Sequence, residues 1–189
     1  MFNKAFFAAL ILAAAPVFAP AAFAEGDGPG PNLVIEVAGA ANGEIVIDLD
    51  TLHAPKHVAQ IVALAKSGAY DGVVFHRVID GFMAQTGDVQ YGKSGGDLSG
   101  AGMGGSDMPN IPAEFSDVPF ARGTVGMARS QDPDSANSQF FIMFAPGDFL
   151  NGQYTVIGQV IKGMDVVDAI QRGEPPATPD VMVKVTVQE

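Results

Sequence analysis

The sequence predicts a mainly β fold in one domain: eight short strands and only two helices, arranged as a closed or nearly closed antiparallel barrel. Three observations carry this. Runs rich in Val, Ile and Phe recur along the chain, bounded by Gly, Asn, Asp or Pro. Helical spacing of apolar residues occurs in two places. No internal repeat and no regular alternation of strand and helix points to a parallel sheet.

Taken in order, Leu33 to Val37 and Glu44 to Leu49 flank a turn containing Asn42-Gly43, a hairpin signal. A helix follows, opened by Pro55 where a missing N–H costs nothing. Val58, Ile61, Val62 and Ala65 form its apolar stripe, and Gly68 ends it. Val73 to Ile79 and Phe82 to Gln85 read as strands around Asp80-Gly81. Residues 91–112 hold seven glycines and predict a long irregular loop. Further strands are expected at 122–128, 138–144, 154–161 and 181–188. A second helix fits Met164 to Arg172, with Val166, Val167 and Ile170 on one face and Gly173 as its stop.

Residues 1–24 read as a cleavable Sec-type signal peptide. Lys4 supplies the positive start, Ala5 to Ala15 the apolar run, and Ala22-Phe23-Ala24 the small-x-small site before Glu25. The run is too short to span about 30 Å of hydrocarbon as a helix. Residues 25–31 (EGDGPGP) then read as a flexible tether, and 32–189 as the domain. Of the 10 basic residues only Lys4 lies in the leader, which leaves 9 against 21 acidic ones and a net charge near −12. That argues against nucleic acid and, after leader removal, anionic membrane as partners. The absence of cysteine excludes disulfides, thiol catalysis and zinc–thiolate sites. A Gram-negative periplasm is the expected destination.

The densest chemical signal is Tyr70 to Asp88, YDGVVFHRVIDGFMAQTGD. Strand alternation places Phe75, Arg77 and Ile79 on one face and His76 on the other. An arginine among apolar neighbours on a half-buried strand is costly unless it faces a site. Phe82, Met83 and Gln85 follow within eight residues. Downstream, Gln139 and Phe141 share a face and Phe140 takes the opposite one. A guanidinium, two amides and several aromatics suit an extended peptide, polar groups on its backbone and apolar ones on a side chain.

FHRVIDGFMAQTGD, then GMARSQDPDSANSQFFI and FLNGQYTVIGQV, resemble the cyclophilin family across residues 32–188. The resemblance implies an eight-stranded antiparallel barrel capped by two helices, and peptidyl-prolyl cis/trans isomerase activity without cofactor or metal. It places Arg77, Phe82, Met83, Gln85, Ala128, Gln139, Phe141, Phe149, Leu150 and Tyr154 in a substrate groove. Arg77 and Gln85 would be catalytic, and Phe82, Met83, Phe141 and Leu150 would form the proline pocket. Arg129 stands where many relatives carry asparagine and would act mainly through its backbone. The implied partners are proline-containing unfolded or flexible polypeptides, met by a monomer that assists their folding. Phe149 and Tyr154 replace a tryptophan and a histidine of the well-known eukaryotic members. Loss of the indole N–H implies weak cyclosporin binding.

Other signals have plainer readings. Gly87 to Ser94, GDVQYGKS, satisfies a phosphate-loop pattern, yet the glycines after it prevent the helix that pattern needs. His53 and His57 are expected at the solvated surface rather than on a metal. His76 is expected to be packed, hydrogen-bonded and turned from the groove. Phe75 and Phe140 read as core, and Asp132, Asp134 and Asp148 as loop and turn residues. Besides an isomerase, a module that only binds proline-containing segments fits the same groove; Arg77 favours the enzyme.

Overall fold

The structure, a computed structural model, describes residues 28–189. The expected leader and residues 25–27 of the tether lie outside the described residues. Nine strands form one antiparallel sheet: β1 Asn32–Ala38, β2 Gly43–Leu49, β3 Val73–Val74, β4 Arg77–Ile79, β5 Met83–Thr86, β6 Thr124–Met127, β7 Phe140–Met143, β8 Val156–Lys162 and β9 Val181–Gln188. Helix α1 spans Pro55–Lys66 and α2 Met164–Ala169. The strand order is β3-β9-β1-β2-β8-β6-β7-β5-β4. β1 and β2 are the expected hairpin, with Ile35 opposite Ile45. From Gly28 to Pro31 the chain lies beside β2, where the Gly28 N–H donates to Asp48 Oδ2 and the Leu49 N–H to Pro31 O.

The two ends of this order, β3 and β4, are separated in the chain only by Phe75 and His76. The sheet therefore curls until its edges meet on one segment. Local pattern predicts a single continuous strand over 73–79, and here the structure differs. The Phe75 N–H donates across to Asp180 O, beside β9, whereas the His76 N–H donates to Gln85 O on β5. The chain changes partners between these residues, and the alternation slips by one. Val73, Phe75 and then Val78 enter the main core, while Arg77 and Ile79 face away from it. Phe75 therefore does not share Arg77's face.

The core inside the curl is built from alternate residues of the long strands, including Leu33, Ile35, Ile45, Ile47, Phe140 and Ile142. α1 packs on β9, and α2 on β2. Removing an apolar side chain of this size from water is worth about 2–3 kcal/mol. The α1 stripe contributes Val58, Ile61, Leu64 and Ala65. α2 is shorter than the expected 164–172: Ile170 is already extended, at ψ 130°. Ile170 still reaches the core, and Gly173 is no helix stop, because it exchanges two backbone hydrogen bonds with Val78.

His57 corrects a second expectation. His53 is exposed and bonded to Asp50, but His57 is fully buried. The reason is a missing cap: Ala54 at the N-terminus of α1 has no side-chain acceptor. Glu114, 57 residues on, supplies one. Its carboxylate accepts the Lys56 and His57 N–H groups and, at 2.6 Å, the His57 Nδ1–H. Partial burial pushes the Glu114 carboxyl up, but the His57 ring and these backbone groups outweigh it and hold it below the usual range.

A carboxyl lowered in the folded state contributes stability that is complete above its unfolded pKa, about 4.3, and is lost as pH falls through the folded value. Glu114→Gln is expected to cost about 1–3 kcal/mol in urea unfolding at neutral pH. The gap from wild type should close on acidification below about pH 4.

Candidate active site

Register assembles the site. Arg77 on β4 lies opposite Gln85 on β5, Gln85 opposite Phe141 on β7, and Phe141 opposite Gly126 on β6. Paired residues point to one face of a sheet, so these four form a row on the outer face. One residue along, Val78, Ala84, Ile142 and Val125 form the matching row inside the main core. Each strand thus anchors itself inward at every second residue and presents the site outward.

A second, smaller apolar cluster lies under the outer row. Met83, Phe120, Phe141, Met143, Leu150 and Val156 are buried there, with Ile79, Phe82, Ala128 and Tyr154 packed against them. Phe141 stacks on Phe120 at 5.8 Å. Gly126 makes this possible, because a Cβ there would stand 2.6 Å from both rings.

Above the cluster is a groove of about 440 Å³. Ten of the residues named from sequence line it: Arg77, Phe82, Met83, Gln85, Ala128, Arg129, Phe141, Phe149, Leu150 and Tyr154. Gln139 lines an adjoining groove of about 320 Å³ beside Gly102 and Met103. Met83, Phe141 and Leu150 form the floor, at most 6% exposed. Phe149 stands 66% exposed, tilted on Phe82 at 5.5 Å. Tyr154 meets Phe141 edge-on at 5.9 Å, and the Arg129 guanidinium lies 4.3 Å over the Tyr154 ring. Arg129 NH1 and NH2 donate to the carbonyls of Ser130 and Gln153. Both terminal nitrogens of its head group are thus held on the groove wall.

The polar side is a directed chain. Gln139 Nε2 donates to the carbonyls of Gly102 and Gly104, so its oxygen must face Gln85. Gln85 Nε2 donates to that oxygen at 2.9 Å, which turns Gln85 Oε1 towards Arg77 NH1 at 3.4 Å. Each amide orientation follows from the one before. The glycine-rich loop thereby sets the acceptor beside the guanidinium.

The same loop explains the phosphate-like motif. Asp88 is buried, and its carboxylate accepts the N–H groups of Gln90, Tyr91, Gly102 and Gly104. Lys93 donates to the carbonyls of Ala69 and Asp71. The groups a phosphate would need are occupied, and no helix follows. His76 is buried away from the groove, as expected, against the Gly102 backbone. Its ring packs where a Cβ on Gly102 would stand, 3.0 Å from Cδ2, with Gln139 and the Val74 backbone beside it. Burial lowers its pKa, with the Asp88 charge opposing.

Sequence reasoning missed Gly126, Gln153 and Glu174. Gly126 had a signal, being a glycine in the middle of an expected strand. Gln153 lines the groove, and Glu174 accepts from Arg77 Nε at 2.8 Å. Neither carries a local pattern, since only the folded chain brings them there.

Residues 33–188 match the model of the cyclophilin-type peptidyl-prolyl cis-trans isomerases. A probable peptidyl-prolyl cis-trans isomerase of Brucella suis is 57% identical over 154 residues, covering 78% of this chain and 79% of the relative. The isomerase ppi1 of Schizosaccharomyces pombe is 38% identical over 127 residues, 66% of this chain and 76% of its own. Among solved structures, a cyclophilin from Hirschia baltica superposes with a TM-score of 0.70 at 28% identity, covering 82% of this chain and 73% of that one. A Cryptosporidium parvum cyclophilin, crystallised in the presence of the dipeptide Ala-Pro, gives 0.71 at 25% identity over 84% and 99%. With a curled antiparallel sheet, two helices and an outer groove of this make-up, the chain belongs to the cyclophilin-type peptidyl-prolyl cis-trans isomerase family.

Proposed function

We propose that this isomerase turns over X–Pro bonds in the groove above β4, β5 and β7, with Arg77 as the catalytic donor. The observation that carries this is the row Arg77–Gln85–Phe141, which sets a guanidinium at the edge of an apolar floor. Amide resonance raises a barrier of roughly 18–20 kcal/mol to rotation. As the bond twists, the prolyl nitrogen turns pyramidal and its lone pair becomes an acceptor. A donor aimed at that nitrogen binds the twisted state better than either planar one, which is what lowers the barrier.

Met83, Phe141, Leu150 and Phe82 hold the proline ring while the preceding carbonyl swings. They also keep water from that carbonyl, where its hydrogen bonds favour the planar form. Gln85 orients Arg77, and Gln139 holds Gln85. Ala128, Arg129, Phe149 and Tyr154 shape the rim along the peptide. No step forms a covalent bond or moves a proton, so neither nucleophile nor general base is required.

Arg77→Ala in the chain from Glu25 to Glu189 is expected to lower kcat/KM on an Ala-Pro-Phe peptide about 10²- to 10³-fold, the usual effect of removing one transition-state donor. Folding should be unchanged by circular dichroism. Peptide binding without turnover in the wild type would instead make the groove a recognition site. Cyclosporin is expected to bind weakly, and Phe149→Trp, which restores an indole N–H, should tighten it about tenfold by calorimetry.

The composition of residues 1–24 supports export, and a periplasmic monomer that assists the folding of other exported chains is the role that follows. N-terminal sequencing of the protein from a periplasmic extract is expected to begin at Glu25. An intact Met1 in the cytoplasmic fraction would reject export.

A further inference from the structure

Glu174 sits on the segment between α2 and β9, and that segment is built against β4. Gly173 exchanges backbone hydrogen bonds with Val78 at 2.8 and 2.9 Å. On either side of this bridge lies an ion pair, Arg172 Nε to Asp80 at 3.1 Å and Arg77 Nε to Glu174 at 2.8 Å. Both stretches run cation then anion, Arg77 to Asp80 and Arg172 to Glu174, and because the bridge between them is antiparallel opposite signs meet. A slipped register would bring like charges together, so the pairing specifies the alignment as well as following from it. Asp180, fully buried, fixes the far end by accepting the Gln171 and Ala41 N–H groups. Arg172 is further tied to the carbonyls of Asp168 and Ile170 and lies 4.1 Å over the Phe144 ring.

Arg77 needs such support. Its side chain is 43% exposed, and its contact with Gln85, at 3.4 Å, is too long to hold a flexible arginine alone. The Glu174 bond is the shorter and charge-assisted one. It takes Nε, the nitrogen on the stem side. The NH2 group and the second NH1 proton are left for the groove, without another partner among the described residues.

Resting on the reading of Arg77 as the donor, we infer that Glu174 is a positioning residue of the isomerisation, holding the guanidinium plane so that its outer N–H groups meet the twisting prolyl nitrogen. It acts through Arg77 and does not touch the proline. Its loss therefore changes how often the donor is in place and leaves the apolar grip on the ring intact.

The test compares wild type, Glu174→Ala, Glu174→Gln, Arg77→Ala and the Arg77→Ala/Glu174→Ala double variant on one proline peptide, resolving kcat from KM. Glu174→Ala should lower kcat roughly three- to tenfold, the range a half-exposed ion pair and a loosened donor allow, with KM within about twofold. Glu174→Gln keeps an acceptor oxygen and should recover most of the loss. In the Arg77→Ala background, Glu174→Ala should add nothing. Exchange of the Arg77 Nε–H, read by ¹⁵N NMR, should be slow in wild type and Glu174→Gln and fast in Glu174→Ala. An unchanged kcat in Glu174→Ala beside an impaired Arg77→Ala overturns this inference alone. A further loss in the double variant does the same. A fully active Arg77→Ala overturns the reading of the site and this inference with it.

Discussion

The antiparallel register across β4, β5, β7 and β6 is the constraint on which the rest depends. It holds two rows of side chains back to back, Val78–Ala84–Ile142–Val125 in the core and Arg77–Gln85–Phe141–Gly126 outside. Because the side-chain period of a strand is two, a slip of one residue would exchange the rows. Four apolar side chains would then face water and a guanidinium would enter the core. The cost of that exchange locks the register, and the lock places the site. Stability and site geometry are one fact here.

Around that row the molecule keeps the two halves of the groove apart in kind. The apolar half rests on its own small cluster, where Phe120, Met143 and Val156 support Phe141 and Leu150 from below. The polar half hangs from the glycine-rich loop, whose carbonyls orient Gln139, then Gln85, then Arg77. The loop is irregular without being loose, because the buried Asp88 carboxylate gathers four of its N–H groups. Glycine at 104 is required there: a Cβ would stand 2.6 Å from Asp88 Oδ1. A polar chain suspended this way costs little desolvation, since each amide meets a defined partner.

Much of this was legible in the chain, for identifiable reasons. The hairpin of β1 and β2, helix α1 and strand β9 follow local pattern, and pattern located them. Alternation alone places Phe140 and Phe141 on opposite faces, where they lie. The groove residues were reached through motif spacing, which reports on the fold only by way of resemblance. Failure came where distant partners decide. Residues 73–79 look like one strand, but Asp180 and Gln85 claim neighbouring N–H groups from opposite sides and shift the phase between Phe75 and Arg77. His57 looks like a surface residue, but α1 has no cap of its own and takes Glu114 as a substitute.

Sequence by itself determined the strand-rich architecture, the two helices, the apolar identity of the groove floor and the presence of one arginine among apolar neighbours. These depend on period, propensity and composition, which act over a few residues. Tertiary structure alone decided where the edge strands of the curled sheet meet, that His57 is buried, and that Glu174 meets Arg77 across 97 residues of chain. Such meetings are set by register and by the need to satisfy buried or charged groups. No local pattern records which distant residue will do so.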